Sequence, residues 1–320
     1  MANPSNFRNG VASYGAPVVG GSGRFTGFWR GRVWYVDGTG GSDGNSGRHP
    51  NQAFQTLQAA VTAAGTDDTI FIRPQAVGTR YTENVVVPVT THAGLSIIGT
   101  GNGKGNSVYQ ACSFRGVLAV DSPIIELRSS YANVENIHFW SRAAQTHGFG
   151  LILRWNTGSG LNIGSSIVNC SFSQDIDDAP AAGGVVQSAI RMDSTEGQLV
   201  ESCFFQDCRV GISVGSTVSA AYRIAIRNNI FKGIASNIAA DIMLTDVVGI
   251  DIHGNVFGHA VPSNAAGTMT KFIFVAGGAT VTGSVSANYQ GENEVAFGTN
   301  NTASSMIACG NFGLGGPWTS

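Results

Sequence analysis

The chain has 320 residues, a formal net charge of −2, 42 % hydrophobic and 12 % charged residues. That is enough apolar material for one long core and too little net charge to draw the chain to nucleic acid or an anionic membrane. Its longest apolar runs, such as NVVVPV at 84–89, are too short to insert through a bilayer, and its 44 glycines predict a turn-rich β protein.

Residues 1–32 do not repeat. They are rich in glycine yet carry Phe7, Tyr14, Phe25, Phe28 and Trp29, aromatics that flexible linkers usually lack. We read them as an extended N-terminal arm, with residues 33–320 as a separate domain. The arm either docks on a neighbouring subunit or particle surface through its aromatics or folds back on its own chain. The opening residues show no basic region followed by an apolar stretch of roughly 7–15 residues, so an export signal is not expected. Five cysteines, an odd number, point to a reduced compartment without a disulfide framework.

VWYV at 33–36 reads as a strand, followed by a Gly/Asp/Asn turn region. Leu57, Ala60, Val61 and Ala64 then recur at helical spacing, which predicts a short amphipathic helix plugging the open end of whatever follows. TIFIRP and LSIIGTG, ending at 74 and 101, read as buried strands.

From there one frame returns. VENIHF, IVNCSF, LVESCFF, IRNNIF and IHGNVF end at Phe139, Phe172, Phe205, Phe231 and Phe257, at spacings of 33, 33, 26 and 26 residues. Weaker copies end at Tyr289 and Phe312. Five positions before each aromatic stands Val134, Ile167, Val200, Ile226 or Ile252, and the two apolar positions have opposite parity, so one straight strand cannot point both inward. Between them sit Asn136, Asn169, Ser202, Asn228 and Gly254, which tolerate a left-handed backbone. The frame therefore predicts strand, one-residue corner, strand. A second row of short β-rich runs, IIEL, LIL, AIRM, GISV, DIML and FIFV, lies between the copies.

Units of this length that each contribute several strands stack as a parallel β-solenoid. About ten coils at ~4.8 Å each give a rod about 50 Å long, with the phenylalanines as one internal ladder. Cys170 and Cys203, in the same register, stack one coil apart as thiols. The competing antiparallel sandwich predicts hairpin signals every 8–12 residues or so and no fixed aromatic register.

The order YVD, GSDGNSG, FQTLQAAV, TIFIRP, YTENVVV, LSIIGTG resembles the N-terminal portion of the pectate-lyase-like superfamily of single-stranded right-handed parallel β-helices, most like bacteriophage tailspike and virion β-helix proteins. That resemblance implies a fold; the superfamily holds polysaccharide lyases, pectin esterases, tailspikes and inert rods alike.

The sequence assigns no catalytic, cofactor-binding or metal-ligating residue. Asp175, Asp177 and Asp178 in SQDIDDAP fit a Ca²⁺ or acid–base site, or a solvated turn. Glu126 and Glu135 flank a corner and are candidates for a pair, although charges beside a turn usually face solvent. Arg191 and Asp193 in IRMD faintly imitate the basic and acidic groups of pectate lyases, PQAVG at 74–78 is a fragment of an esterase pattern, and the paired-Asp, Gly-His-Gly and Arg-Ile-Lys elements of polygalacturonases are absent. His138 should point outward; His147 and His253 stand alone. SDGN at 42–45 opens like a calcium loop without its later acid. GSGRFTG and GTGNGKG precede no helix.

Three functional classes fit. The first is a structural protein of a bacteriophage virion, a capsid decoration, fibre or spike component, homotrimeric and attached to other virion proteins through its arm. The second is a tailspike-type depolymerase acting on a host surface glycan. The third is a non-catalytic glycan-binding module, stacking sugars on Trp140 and Trp155. The short tail with Trp318 leaves no room for a tailspike's C-terminal module, which favours the structural class, on the virion surface with no nucleic acid and no membrane insertion. Long coils imply bulges near 140–165 and 173–188 as its contact surface.

Overall fold

A computed structural model describes residues 31–76, 79–89, 91–101, 112–116, 123–140, 161–173, 188–216, 220–233, 240–259, 272–276, 280–290 and 305–313, and the backbone strands at 11–13, 16–19, 151–154, 298–299 and 316–317. The chain is a parallel β-helix. Three sheets, parallel except for the last pair of one, run along one column, and from Thr69 to Thr299 each turn of chain adds at least one strand to each.

Sheet I contains Val85–Val87, Ile125–Leu127, Leu151–Arg154, Ser188–Asp193, Val210–Val214, Ala240–Leu244 and Ile273–Val275, the second row of runs read from the sequence. Sheet II contains the apolar half of each repeat, from Val33–Val36 through Asn133–Glu135, Leu199–Glu201 and Val247–His253 to Ser305–Cys309. Sheet III contains the aromatic half, from Tyr81–Thr82 through Ile137–Trp140 and Ile230–Gly233 to Phe312–Gly313. Strands II and III of each middle coil meet at the expected single corner residue, with φ of 58° at Asn136, 54° at Asn169, 57° at Ser202, 55° at Asn228 and 65° at Gly254. A left-handed residue there reverses the inward parity, so Val134 and Phe139 both face the core.

Phe139, Phe172, Phe205, Phe231 and Phe257 are in register. Their rings stack at centroid separations of 4.9, 5.0, 4.7 and 5.1 Å, about the rise of one coil. Two further rungs precede them, Phe114 and Tyr81, with rings 4.7 Å apart. Each buried phenylalanine contributes about 3 kcal/mol of apolar transfer before entropy is counted.

The weaker copy of the frame at Tyr289 does not extend this ladder. Tyr289 pairs with Val256 and Gln290 with Phe257, so Tyr289 is one residue out of phase, lies on the outer face and is 51 % exposed. A slip of one residue exchanges the faces of a strand; Phe312 pairs with Tyr289 and shares its phase. Phe272 fills the inward place instead, its ring 5.4 Å from that of Phe257.

A second ladder lies beside the first. Cys170 and Cys203 hold the position after the corner, and Asn229, Asn255, Asn288 and Asn311 take it over, all buried. Each amide from Asn229 onward donates to the next Oδ1, at 3.0, 3.0 and 2.9 Å. Cys170 and Cys203 are free thiols, as are the other three cysteines.

The helix is Leu57–Ala63, with Leu57, Ala60 and Val61 buried and Thr56 as N-cap accepting from the N–H of Ala59. It lies against Val33–Val36 and Val85–Val87 and covers the first coil. The Glu83 carboxylate accepts the N–H groups of Leu57 and Gln58, both at 3.0 Å, and burial raises its pKa above the ordinary value. No helix among the described residues is long and apolar enough to cross a membrane. Near the start of the chain, Val11–Ser13 and Ala16–Val19 pair with each other as a two-stranded antiparallel sheet.

Candidate functional site: the outer face of sheet I

In a strand whose alternate residues fill the core, those between them face out. On sheet I the outward residues Val86, Glu126, Arg191, Ser213, Met243 and Phe274 align coil by coil, with the backbone of Ile152 holding the register between Glu126 and Arg191. Glu126 is bridged by Arg128 at 2.9 Å, and Arg191 binds Asp193, two residues on along its own strand, at 2.7 Å. One strand, Leu151–Arg154, separates the two pairs, so Glu126 and Arg191 lie about 10 Å apart along the column at ~4.8 Å per coil. The Arg191 side chain is 39 % exposed, and its partner Asp193 is 14 % exposed. Ser213, Met243 and Phe274, all partly exposed, continue the strip. The face thus holds one partly exposed guanidinium–carboxylate pair, Arg191–Asp193, near a largely buried one, Arg128–Glu126, followed by a hydroxyl, a thioether and an aromatic ring. Both carboxylates are tied to guanidinium groups, so neither is placed as the proton donor that glycoside hydrolysis requires; the guanidiniums suit an anionic partner.

Glu126 and Glu135 do not form the pair considered from the sequence. Glu126 belongs to sheet I, buried against Arg128, and Glu135 to sheet II, because the corner at 128–132 turns the chain between them. The expectation that both face solvent fails for Glu126, only 5 % exposed.

His138 alternates with Ile137 and Phe139 as expected, yet it is fully buried. Its ring bridges three coils, with Nδ1 2.9 Å from Ser113 Oγ and Nε2 3.2 Å from Ser173 Oγ. Burial, helped by the charge of Arg80, lowers its pKa to about 4, so it is neutral at ordinary pH. With hydroxyls on both sides and no carboxylate among these partners, it is a satisfied structural histidine. Trp140 has its ring face under the Arg80 guanidinium, 4.3 Å from the centroid, and its edge toward His138; that face is not open to a sugar.

His253 is exposed on sheet II, its Nδ1 3.1 Å from Ser286 Oγ. Asp43 of SDGN accepts the N–H groups of Gln55 and Thr56, each at 2.9 Å, which is a structural role. No group of three metal-ligating side chains occurs among the described residues. Asp175, Asp177, Asp178, His147, Trp155, Trp318, most of the expected bulges and the rest of the arm lie outside those residues, as does part of PQAVG.

No protein-family model matches the chain, and no curated protein does. Solved structures do. An alginate lyase from Paenibacillus sp. str. FPU-7 superposes with a TM-score of 0.56 at 12 % identity, over 82 % of this chain and 93 % of that one. A pectin methylesterase from Aspergillus niger gives 0.52 at 14 %, over 91 % and 88 %. A GH136 lacto-N-biosidase from Eubacterium ramulus gives 0.55 at 11 %, over 88 % of this chain and 56 % of that one. The alginate lyase and the pectin methylesterase are parallel β-helix folds of the pectate-lyase-like kind. The likeness at these identities is one of fold.

The sequence signals that were passed over are specific. Cys-Ser-Phe at 112–114 repeats at 170–172 and marks the Phe114 rung, hidden because residues 100–111 intervene between its sheet II and sheet III strands. The asparagines at 229, 255, 288 and 311 mark the true register of the last coils.

Proposed function

We propose that the protein acts on an acidic polysaccharide laid along the outer face of sheet I. The observation that carries this reading is the register of Glu126–Arg128 and Arg191–Asp193 on one face. The exposed Arg191 guanidinium meets a uronate carboxylate, Asp193 holds that guanidinium in place, and Met243 and Phe274 offer apolar contact to the next sugars. Neutralising a uronate carboxylate acidifies the proton beside it; in β-elimination that proton passes to solvent base, a double bond forms, the C–O bond on the next carbon breaks and the leaving oxygen takes a proton from water, whereas hydrolysis needs a placed proton donor that this face lacks. All three structures compared above carry names of glycan-acting enzymes, which supports the substrate class.

The test is incubation of the full chain with alginate and with low-ester pectin, followed by ultraviolet absorbance of unsaturated ends and by chain length. We expect shortening of one of the two polymers, lost in Arg191→Ala. Unchanged polymers, or full activity in Arg191→Ala, overturn the proposal.

A second reading is favoured by the column itself: continuous hydrogen bonding and stacked rings make a stiff rod, suited to a homotrimeric virion component held by residues 1–32. Deleting residues 1–28 and finding assembly on the particle unchanged refutes that attachment.

A further inference from the structure

Among the described residues seven large apolar side chains are exposed, and four of them lie along one edge of the column where sheet I turns into sheet II. Ile163, Glu196, Tyr222 and Val248 are paired strand to strand, and Tyr131, on the coil before Ile163, donates its backbone N–H to the Ile163 carbonyl. Their exposures are 60 % for Tyr131, 36 % for Ile163, 38 % for Tyr222 and 43 % for Val248. Beside them runs a row of left-handed positions, Tyr131, Gly164, Gly197, Arg223 and Gly249. The Tyr131 ring lies on Gly164, where a Cβ would come within 2.7 Å of it, while a Cβ at Gly197 would meet nothing closer than 3.8 Å. The row therefore has a notch of bare backbone at Gly197, with Tyr131 at one end and Arg223 at the other. Arg223, 77 % exposed, reaches across to pair with Glu196.

We propose that this edge is a second binding site, for a linear polysaccharide running parallel to the column. The stripe is one residue wide from Ile163 to Val248, with Tyr131 set one residue to its side at the end. At ~200 Å² per side chain its four apolar residues expose roughly 350 Å², well under the ~800 Å² per partner of a stable protein interface, whereas a single file of rings separated by a polar pair matches a linear polymer. Aromatic faces take the apolar faces of pyranose rings, and Glu196 with Arg223 offers an acceptor and several donors to the hydroxyls between them. An extended pyranose chain advances per sugar by a step comparable to the rise of one coil, so successive sugars meet equivalent positions from Ile163 through Glu196 and Tyr222 to Val248, with Tyr131 one residue to the side at the end of that file. The site rests on the reading of the protein as polysaccharide-acting only for the class of polymer; its residues are separate from those of sheet I.

The test is affinity electrophoresis of the full chain in native gels containing alginate or low-ester pectin, with Tyr222→Ser, Tyr131→Asn and Arg191→Ala compared. Asparagine tolerates the left-handed backbone at 131, and thermal melts confirm that each variant is folded. We expect one polymer to retard the wild type, and both tyrosine variants to weaken its apparent affinity at least fivefold while leaving polymer shortening by excess enzyme intact. Absence of retardation, or retardation lost in Arg191→Ala and kept in both tyrosine variants, overturns this site and leaves the sheet I proposal standing. Concentration-dependent self-association abolished by Tyr222→Ser overturns it too, and assigns the edge to contact between copies.

Discussion

Asn255 hands its whole amide to the column: Oδ1 accepts from both the backbone N–H and Nδ2 of Asn229, at 2.9 and 3.0 Å, while Nδ2 donates to Asn288 Oδ1 at 3.0 Å and to the Ile226 carbonyl at 2.9 Å. The ladder satisfies, at each turn, a backbone N–H that the sharp corner has removed from the sheet. Asn255→Ala leaves the buried backbone N–H of Asn229 without its acceptor, takes one of the two acceptors of Asn229 Nδ2 and removes a donor from the Ile226 carbonyl, and unsatisfied buried groups cost about 1–3 kcal/mol each. We expect a loss of about 3 kcal/mol in urea denaturation; a loss below about 1 kcal/mol contradicts the ladder's structural role.

The neighbouring aromatics separate inward from outward positions. Phe231 is buried between two stacked rings, and Phe231→Ala is expected to destabilise by about 3–5 kcal/mol. Tyr289→Ser, at the end of a similar-looking repeat, should change stability by no more than about 0.5 kcal/mol. Equal effects from the two substitutions in the same denaturation assay would return Tyr289 to the core.

That contrast shows where the sequence was legible. The frame of Val134 and Phe139, divided by a left-handed Asn136, follows from local sterics and side-chain parity, which are written in the residues themselves. Aligning on the ring failed at Tyr289 because the register is held by Asn288, whose amide meets Asn255 and Asn311; the aromatic is free to shift by one. The sheet I face was legible only as strands. Nothing in IRMD or IIEL announces that Arg191 and Glu126, 65 positions apart, share a face, since that depends on how much chain each coil loops out.

Acid should loosen the column at His138. Its pKa in the fold is about 4, below the ordinary 6.5, so between these values the unfolded chain binds a proton that the folded one does not. Stability then rises with pH in this window and falls on acidification from about 6.5 to 4. At 1.36 kcal/mol per unit the full effect is about 3 kcal/mol. His138→Gln, which keeps hydrogen bonding toward Ser113 and Ser173 without titrating, is expected to flatten the histidine-dependent part of the urea midpoint against pH; an unaltered profile in that variant rules His138 out as the cause.

Thiol reactivity offers the last check, because it reads register and burial together. Cys112, Cys170, Cys203 and Cys208 are buried, and only Cys309 is exposed. Burial pushes the Cys112 thiol up to about 12, burial and the facing Cys203 raise Cys170, and burial with the nearby Asp207 raises Cys208. Since the thiolate is the reactive form, Cys112, Cys170 and Cys208 are both shielded and protonated, and Cys203 is shielded by its burial. An aromatic disulfide reagent should therefore titrate one thiol in the native chain and five after denaturation, and Cys309→Ser should abolish the native reaction. Three thiols on denaturation would instead reveal a Cys170–Cys203 disulfide between adjacent coils, and rapid native labelling at Cys170 would place that residue outside the column.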